Sequence, residues 1–222
     1  MLSKKSNIFL FSFNSGRFRE PNKLICDHDS NIFVCDTNNH RIQVFTKEGI
    51  FLYFFGREGS KEGQFNYPEG ITCDHDGNIV VCDINNHRIQ VFTKEGKFMS
   101  PSVTSIDSQR EYKFLYFFGK YGTEEGQFKY PTEITCDHDG NYVVCDSFNH
   151  RIQVFTKKGK FLYFFGKEGL EEGQFKYPKG LTCDHDGNYI VCDTLNCRIQ
   201  VFKGPSEVPS LLSMCWKQIN NN

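Results

Sequence analysis

The sequence predicts an all-β protein, a β-propeller of four four-stranded blades, and three observations carry that prediction. A 47-residue unit recurs four times, its CDHDGN or CDHDSN string beginning at Cys26, Cys73, Cys136 and Cys183, with 16 extra residues after the second copy. Self-similarity at a period of about 20–50 residues marks solenoids, propellers and arrays. Each unit holds short apolar runs punctuated by Asp- and Gly-containing turns, which is strand grammar. No segment keeps a helical 3.6-residue period over about ten residues, which argues against a helical solenoid.

The elements follow in order along each unit. A Phe shortly before a Pro opens it: Phe18 and Pro21, Phe65 and Pro68, Phe128 and Pro131, Phe175 and Pro178. The apolar stretch ending in Cys (Ile71-Thr72-Cys73 in the second unit) is the first strand. Asp76-Gly77 reads as a two-residue hairpin turn, because both residue types tolerate positive φ. The second strand runs to Asp83, the third is Arg-Ile-Gln-Val-Phe, and Glu95-Gly96 marks a weaker turn. Phe-Leu-Tyr-Phe-Phe, as at 51–55, is the fourth. Its lack of alternation suits a strand covered on both faces, as in stacked blades.

These assignments place the propeller at 1–204, with blades at about 16–56, 63–119, 126–166 and 173–202, and an off-pattern tail at 205–222. The fourth unit lacks a strand after RIQVF, while Ile8-Phe9-Leu10-Phe11-Ser12-Phe13 resembles FLYFF. The N-terminal strand 8–13 is therefore expected to complete the last blade and close the ring, which removes exposed strand edges. The insert at about 99–113, rich in Ser and Thr, reads as a surface loop between the third and fourth strands of blade two.

Composition narrows the function. Lys and Arg number 26 against 27 Asp and Glu, a net charge of −1, which excludes a wholly basic nucleic-acid surface. No run approaches about 18 uncharged apolar residues, so no membrane helix is read. The opening MLSKKSNIFLFSF is not read as a secretory signal. With Asp76-Gly77 as the turn pair, Cys73 faces Val80 and Cys82 faces Ile71, out of register for a disulfide. Free thiols in every unit imply a reducing, cytoplasmic compartment.

Chemistry needs asymmetry, and residues copied into every blade read as architecture. Asp36, Asp83, Asp146 and Asp193 are placed to accept loop N–H groups and to pair with Arg41, Arg88, Arg151 and Arg198. The CDHD strings hold metal-ligand residue types, but strand Cys and turn His diverge, and no Cys-x-x-Cys supports a zinc site. His40, His87 and His150 are equivalent positions that a propeller spreads around its circumference. No catalytic residue, metal or cofactor is expected.

The pattern PEGITCDHDGNIVVCDINNHRIQVF, from Pro68 to Phe92 and in its three sisters, resembles the NHL-repeat family. Members are often the C-terminal propellers of tripartite-motif proteins, in which RING, B-box and coiled-coil segments do the ubiquitin-ligase work. The resemblance therefore implies a non-enzymatic module for a protein partner and, more narrowly, the substrate-recognition part of such a ligase. It also brings two alternatives, a single-stranded-RNA-binding propeller and a zinc-dependent peptidyl-amidoglycolate lyase. The family commonly closes with five or six blades, and four repeats are present here. Neither a membrane nor a small-molecule substrate is expected as a partner.

Specificity is expected where the blades differ on the long-loop face. Those positions are Arg19, Lys23, Glu69, Tyr130, Thr132, Glu133 and Lys179 before or just after the Pro, and Asn38, Asn85, Phe148 and Leu195 between strands two and three. Phe148 and Leu195 stand where the other units have Asn, which suits an anchor for a partner. The loops are close to charge-neutral except the first, with Arg17, Arg19 and Lys23 against Glu20, which disfavours a phosphate-driven RNA site.

Overall fold

The structure is a computed structural model and describes residues 17–94 and 112–204. It is an all-β propeller of four antiparallel blades without an α-helix among the described residues. Blade one is β1 (Pro21–Cys26), β2 (Ile32–Asp36), β3 (Arg41–Phe45) and β4 (Phe51–Phe55). Blade two is β5 (Pro68–Cys73), β6 (Ile79–Asp83), β7 (Arg88–Lys94) and β8 (Tyr112–Phe118). Blade three is β9 (Pro131–Cys136), β10 (Tyr142–Asp146), β11 (Arg151–Phe155) and β12 (Phe161–Phe165). Blade four holds β13 (Pro178–Cys183), β14 (Tyr189–Asp193) and β15 (Arg198–Phe202). Each blade is a meander in which neighbours in sequence are neighbours in the sheet. The sealing strand expected at 8–13 and the tail at 205–222 lie outside the described residues.

The first strands are innermost: β1 packs on β5, β5 on β9 and β9 on β13. Among the described residues no comparable packing joins β13 to β1. The hydrophobic core is correspondingly divided into three clusters, each sandwiched between two blades. The first, for example, sets Phe33, Ile42 and Val44 of blade one against Ile71, Ile79 and Val81 of blade two. Both faces of the second and third strands of the middle blades are buried, which is why these strands are apolar at consecutive positions. The outer FLYFF strands, expected to be covered on both faces, are not: they lie at the rim of each blade and expose Phe54, Leu115, Phe117 and Leu162. Phe65, Phe128 and Phe175, each three residues before a Pro, plug these interfaces and are completely buried.

Two local expectations need correction. The hairpin after β5 turns over Asp74–Asn78, not on Asp76-Gly77 alone: Asp74 N–H bonds the Asn78 carbonyl at 2.9 Å, and Gly77 N–H bonds the Asp74 carbonyl at 2.9 Å. The Asp74 carboxylate accepts the N–H groups of Asp76 and Asn78 at 3.0 and 2.8 Å, and so organises the wider loop. Only Gly77 takes a positive φ, +82°. The register therefore moves by one: Cys73 faces Ile79 and Ile71 faces Val81, rather than Val80 and Cys82. All nine cysteines among the described residues are unpaired. The second correction concerns the insert. Tyr112 and Lys113, expected in the inserted loop, belong to β8, where they pair with Lys94 and Thr93, so the outer hairpin of blade two is longer than in the other blades; the rest of the insert lies outside the described residues.

Candidate functional site

The face that carries the β2–β3-type turns is built by one polar cluster per blade. After the second strand the chain makes a 3₁₀ turn, Ile84–Asn86 in blade two, and closes on His87 in the left-handed conformation. Asp83, fully buried, holds this turn and the loop before β5 together. Its carboxylate accepts the Asn66 N–H at 2.6 Å, Asn86 Nδ2 at 2.9 Å, Arg88 Nε at 2.7 Å and Gln90 Nε2 at 3.0 Å. Arg88 spends its other N–H groups on the carbonyls of Ser60, Lys61 and Gln64. Blades one, three and four repeat the Asp–Arg pair at 2.8 Å. Each Arg therefore pairs within its own blade, and the cluster is scaffold.

Burial sets how the carboxylates titrate. In the middle blades it pushes Asp83 and Asp146 up, against the bonds from Asn66 and Lys129 N–H groups. In blade four the same burial effect is weaker, and the bonds from Lys176 N–H, Asn196 and Arg198 bring Asp193 below the usual range.

Neighbouring blades are clasped by a His–Tyr bond that the sequence did not reveal. Nδ1 of His40, His87 and His150 accepts the N–H of Tyr67, Tyr130 and Tyr177 of the next blade, at 3.2, 3.2 and 3.1 Å. Each Tyr sits at a positive φ of 54–62°, an unfavourable conformation for a residue with a side chain. These histidines are thereby committed to blade packing, and no group of three His, Cys, Asp or Glu residues among the described residues is arranged to hold a metal. Burial holds His87 below its ordinary value.

The clasp presents an aromatic surface. Phe148 lies between Tyr130 and Tyr177, with ring centroids at 4.6 and 4.5 Å, and is still 41% exposed. It both packs on neighbours and faces solvent. Leu195 is exposed in the next turn, as are Asn85 and Arg19, while Asn38 is half-buried. The structure adds two exposed apolar residues that sequence reasoning missed, Tyr121 and Leu170. The available signal was positional: Tyr121 replaces Glu58 and Glu168, and Leu170 replaces Ser60 and Thr123.

Five expected loop residues are instead in the inner strands, because each strand begins at the Pro itself, a permitted first position. They are Lys23 in β1, Glu69 in β5, Thr132 and Glu133 in β9, and Lys179 in β13. Thr132 and Glu133 are buried, so neither is a surface contact. Thr132 shares a hydrogen bond with Ser147. Glu133 pairs with Lys23 at 2.5 Å, a bond from blade three to blade one across blade two. Gly70 lets the blade-three backbone come this close to blade two: a Cβ there would lie 2.7 Å from the Thr132 carbonyl oxygen and 2.8 Å from Glu133 Cα. Burial pushes Glu133 up, whereas the hydrogen bond to Glu133 pushes the more exposed Lys23 up. Lys179 remains exposed, its ammonium 5.3 Å from the Tyr177 ring centroid.

Comparison with known proteins agrees with this architecture. The NHL repeat matches residues 18–45 and 65–92, in the first two blades. Over 52 residues the chain is 44% identical to Protein brain tumor of Drosophila melanogaster, covering 23% of this chain and 5% of that protein. Over 42 residues it is 50% identical to the B-box type zinc finger protein ncl-1 of Caenorhabditis elegans, 19% of this chain and 5% of that one. Among solved structures it superposes on a streptogramin B lyase with TM-score 0.57 and 19% identity, covering 83% of this chain and 54% of that chain. A gluconolactonase from Xanthomonas campestris gives TM-score 0.59 at 13% identity, over 88% and 61%. Likeness at these identities shows the fold alone. The chain spans a small part of the curated relatives and little more than half of the solved structures.

Proposed function

We propose that this NHL-repeat propeller is a non-enzymatic binding module that recognises a protein partner on the face formed by the turns between the second and third strands. The observation that carries the reading is the aromatic surface of Tyr130, Phe148 and Tyr177, continued by exposed Leu195. Rigid, partly exposed aromatic side chains on a fixed scaffold are what protein interfaces use as anchors. Phe148 stays exposed although two neighbours hold it, so little side-chain entropy remains to be lost on binding.

The same geometry weakens the RNA alternative. Lys23, one of the few basic residues of the first loop region, is tied to Glu133, and Glu69 adds a further negative charge nearby. The module is proposed to act in the cytoplasm, in keeping with the unpaired cysteines. We place it as the substrate-recognition part of a tripartite-motif ubiquitin-ligase-like protein, a reading supported by the partial match to a B-box protein.

Immobilised chain incubated with cell extract tests this. A protein should be retained by the wild type and lost from Phe148→Ser and Leu195→Ser variants that keep the native circular-dichroism spectrum. RNA retained with a steep salt dependence and released by Arg19→Ala would replace the reading, as would stoichiometric zinc with lyase turnover.

A further inference from the structure

The two ends of the arc expose what every internal junction buries. At the internal junctions each blade offers one face made of Cys, Ile and Val from its second and third strands. Ile42, Ile89 and Ile152 are 0% exposed there, whereas the equivalent Ile199 in blade four is 59% exposed. Val44, Val91 and Val154 are at most 1% exposed, and their equivalent Val201 is 63%. The opposite face behaves likewise at the other end: Ile71 and Ile134 are 3% and 2% exposed, and Leu24 in blade one is 62%.

These faces are the two sides of one interface. Blade one presents to solvent the surface with which blade two covers blade one, and blade four presents the surface with which blade three receives blade four. We propose that a second copy of this chain covers them, the fourth blade of each copy packing on the first blade of the other, so that two four-bladed arcs close one ring about a twofold axis. Such a junction is head-to-tail, and it closes because it occurs twice.

Polar groups match as well. Lys94 of blade two bonds Asp29 of blade one, and Lys157 of blade three bonds Asp76 of blade two at 3.1 Å. The equivalents at the ends are exposed: Lys47 on blade one, and Asp186 in the turn of blade four. Thr37 and Ser147 donate to the carbonyls of Pro68 and Pro178 in the following blade. Thr194, their equivalent, is exposed and turns back on the Cys192 carbonyl, and Pro21 is exposed at the other end. One element is missing at the new junction, because Cys197 and Glu20 replace the His and Tyr of the clasp. The junction is therefore weaker than an internal one and reversible on dilution.

Sedimentation across the micromolar range reads the mass directly, without reference to any other partner. The 25.8 kDa chain should approach twice that mass as concentration rises. Val201→Glu should hold it at the single-chain mass with an unchanged circular-dichroism spectrum, since Val201 is already exposed in one copy. Lys47→Glu and Asp186→Lys should each weaken association, and an equimolar mixture of the two should restore it, because one junction then regains opposite charges and the other is wild type. A chain that stays single at all concentrations, as when the N-terminal strand 8–13 closes the ring within one copy or residues 205–222 or another protein cover the faces, overturns the proposal. So does an assembly indifferent to Val201→Glu, or one that grows without limit instead of stopping at two copies.

Discussion

Replacing Asp83 by Ala tests whether the polar cluster is scaffold and whether burial sets its worth. The substitution removes the acceptor shared by Asn66 N–H, Asn86, Arg88 and Gln90. Arg88, whose side chain is 6% exposed, is left as a buried cation facing carbonyl dipoles and the Phe117 ring, with no anion to pair with. Breaking a buried pair from one side costs about 3–5 kcal/mol, largely through the stranded charge. Asp193→Ala removes the same acceptor in blade four, but there the Arg198 side chain is 29% exposed and water reaches it. The cost should fall to about 1–2 kcal/mol. In urea, with a slope of about 3 kcal/mol per molar for a chain of this size, Asp83→Ala should lower the midpoint by roughly 1–1.7 M and Asp193→Ala by less than about 0.7 M. Blades unfold semi-independently in repeat proteins, so native-state hydrogen exchange should localise each loss to the substituted blade. Equal losses for the two variants would refute the argument that the neighbouring blade, by excluding water, gives the pair its weight.

Two further expectations follow from the inner strands and the clasp. Gly70→Ala drives a Cβ into the Thr132 carbonyl and Glu133 backbone, neither of which is a flexible side-chain end. It should destabilise by about 1–3 kcal/mol in urea denaturation, and a silent substitution would show that blades two and three are not in such close contact. The His87 clasp is pH-dependent, because Nδ1 accepts the Tyr130 N–H only when the imidazole is neutral. Burial lowers its folded value below the unfolded value of about 6.5, so its contribution is intact above that pH and is lost as pH falls through the folded value. His87→Leu should flatten that limb of a plot of Tm against pH, and an unchanged slope would place the titration elsewhere.

What could be read from the sequence is what repeats with the unit. Four copies of one pattern disclose blade number, strand order and the Asp–Arg pair, since Asp83 and Arg88 lie five residues apart in every copy and end up bonded inside a single blade. The hairpin register was misread because Asp-Gly is a strong local turn signal, and the Asp74 carboxylate, by capping two N–H groups, stabilises a wider loop that local preference does not reveal. Thr132 and Glu133 were misplaced for a related reason: a Pro normally punctuates, and here it begins the strand. Bonds between blades left almost no signal. Tyr142 of blade three and Tyr189 of blade four reach back to Asp74 and Asp137 at 2.8 and 3.0 Å, where blades one and two have Ile32 and Ile79. Lys23 of blade one meets Glu133 of blade three, whose backbone lies against Gly70 of blade two. Such contacts depend on the angle between blades, and a local pattern contains no angle. The binding surface belongs to the same class: Phe148 stands out in sequence as a departure from Asn, but only the stacking of three blades brings Tyr130 and Tyr177 to either side of it. The repeat thus specifies each blade nearly alone, and the departures from the repeat acquire their roles where blades meet.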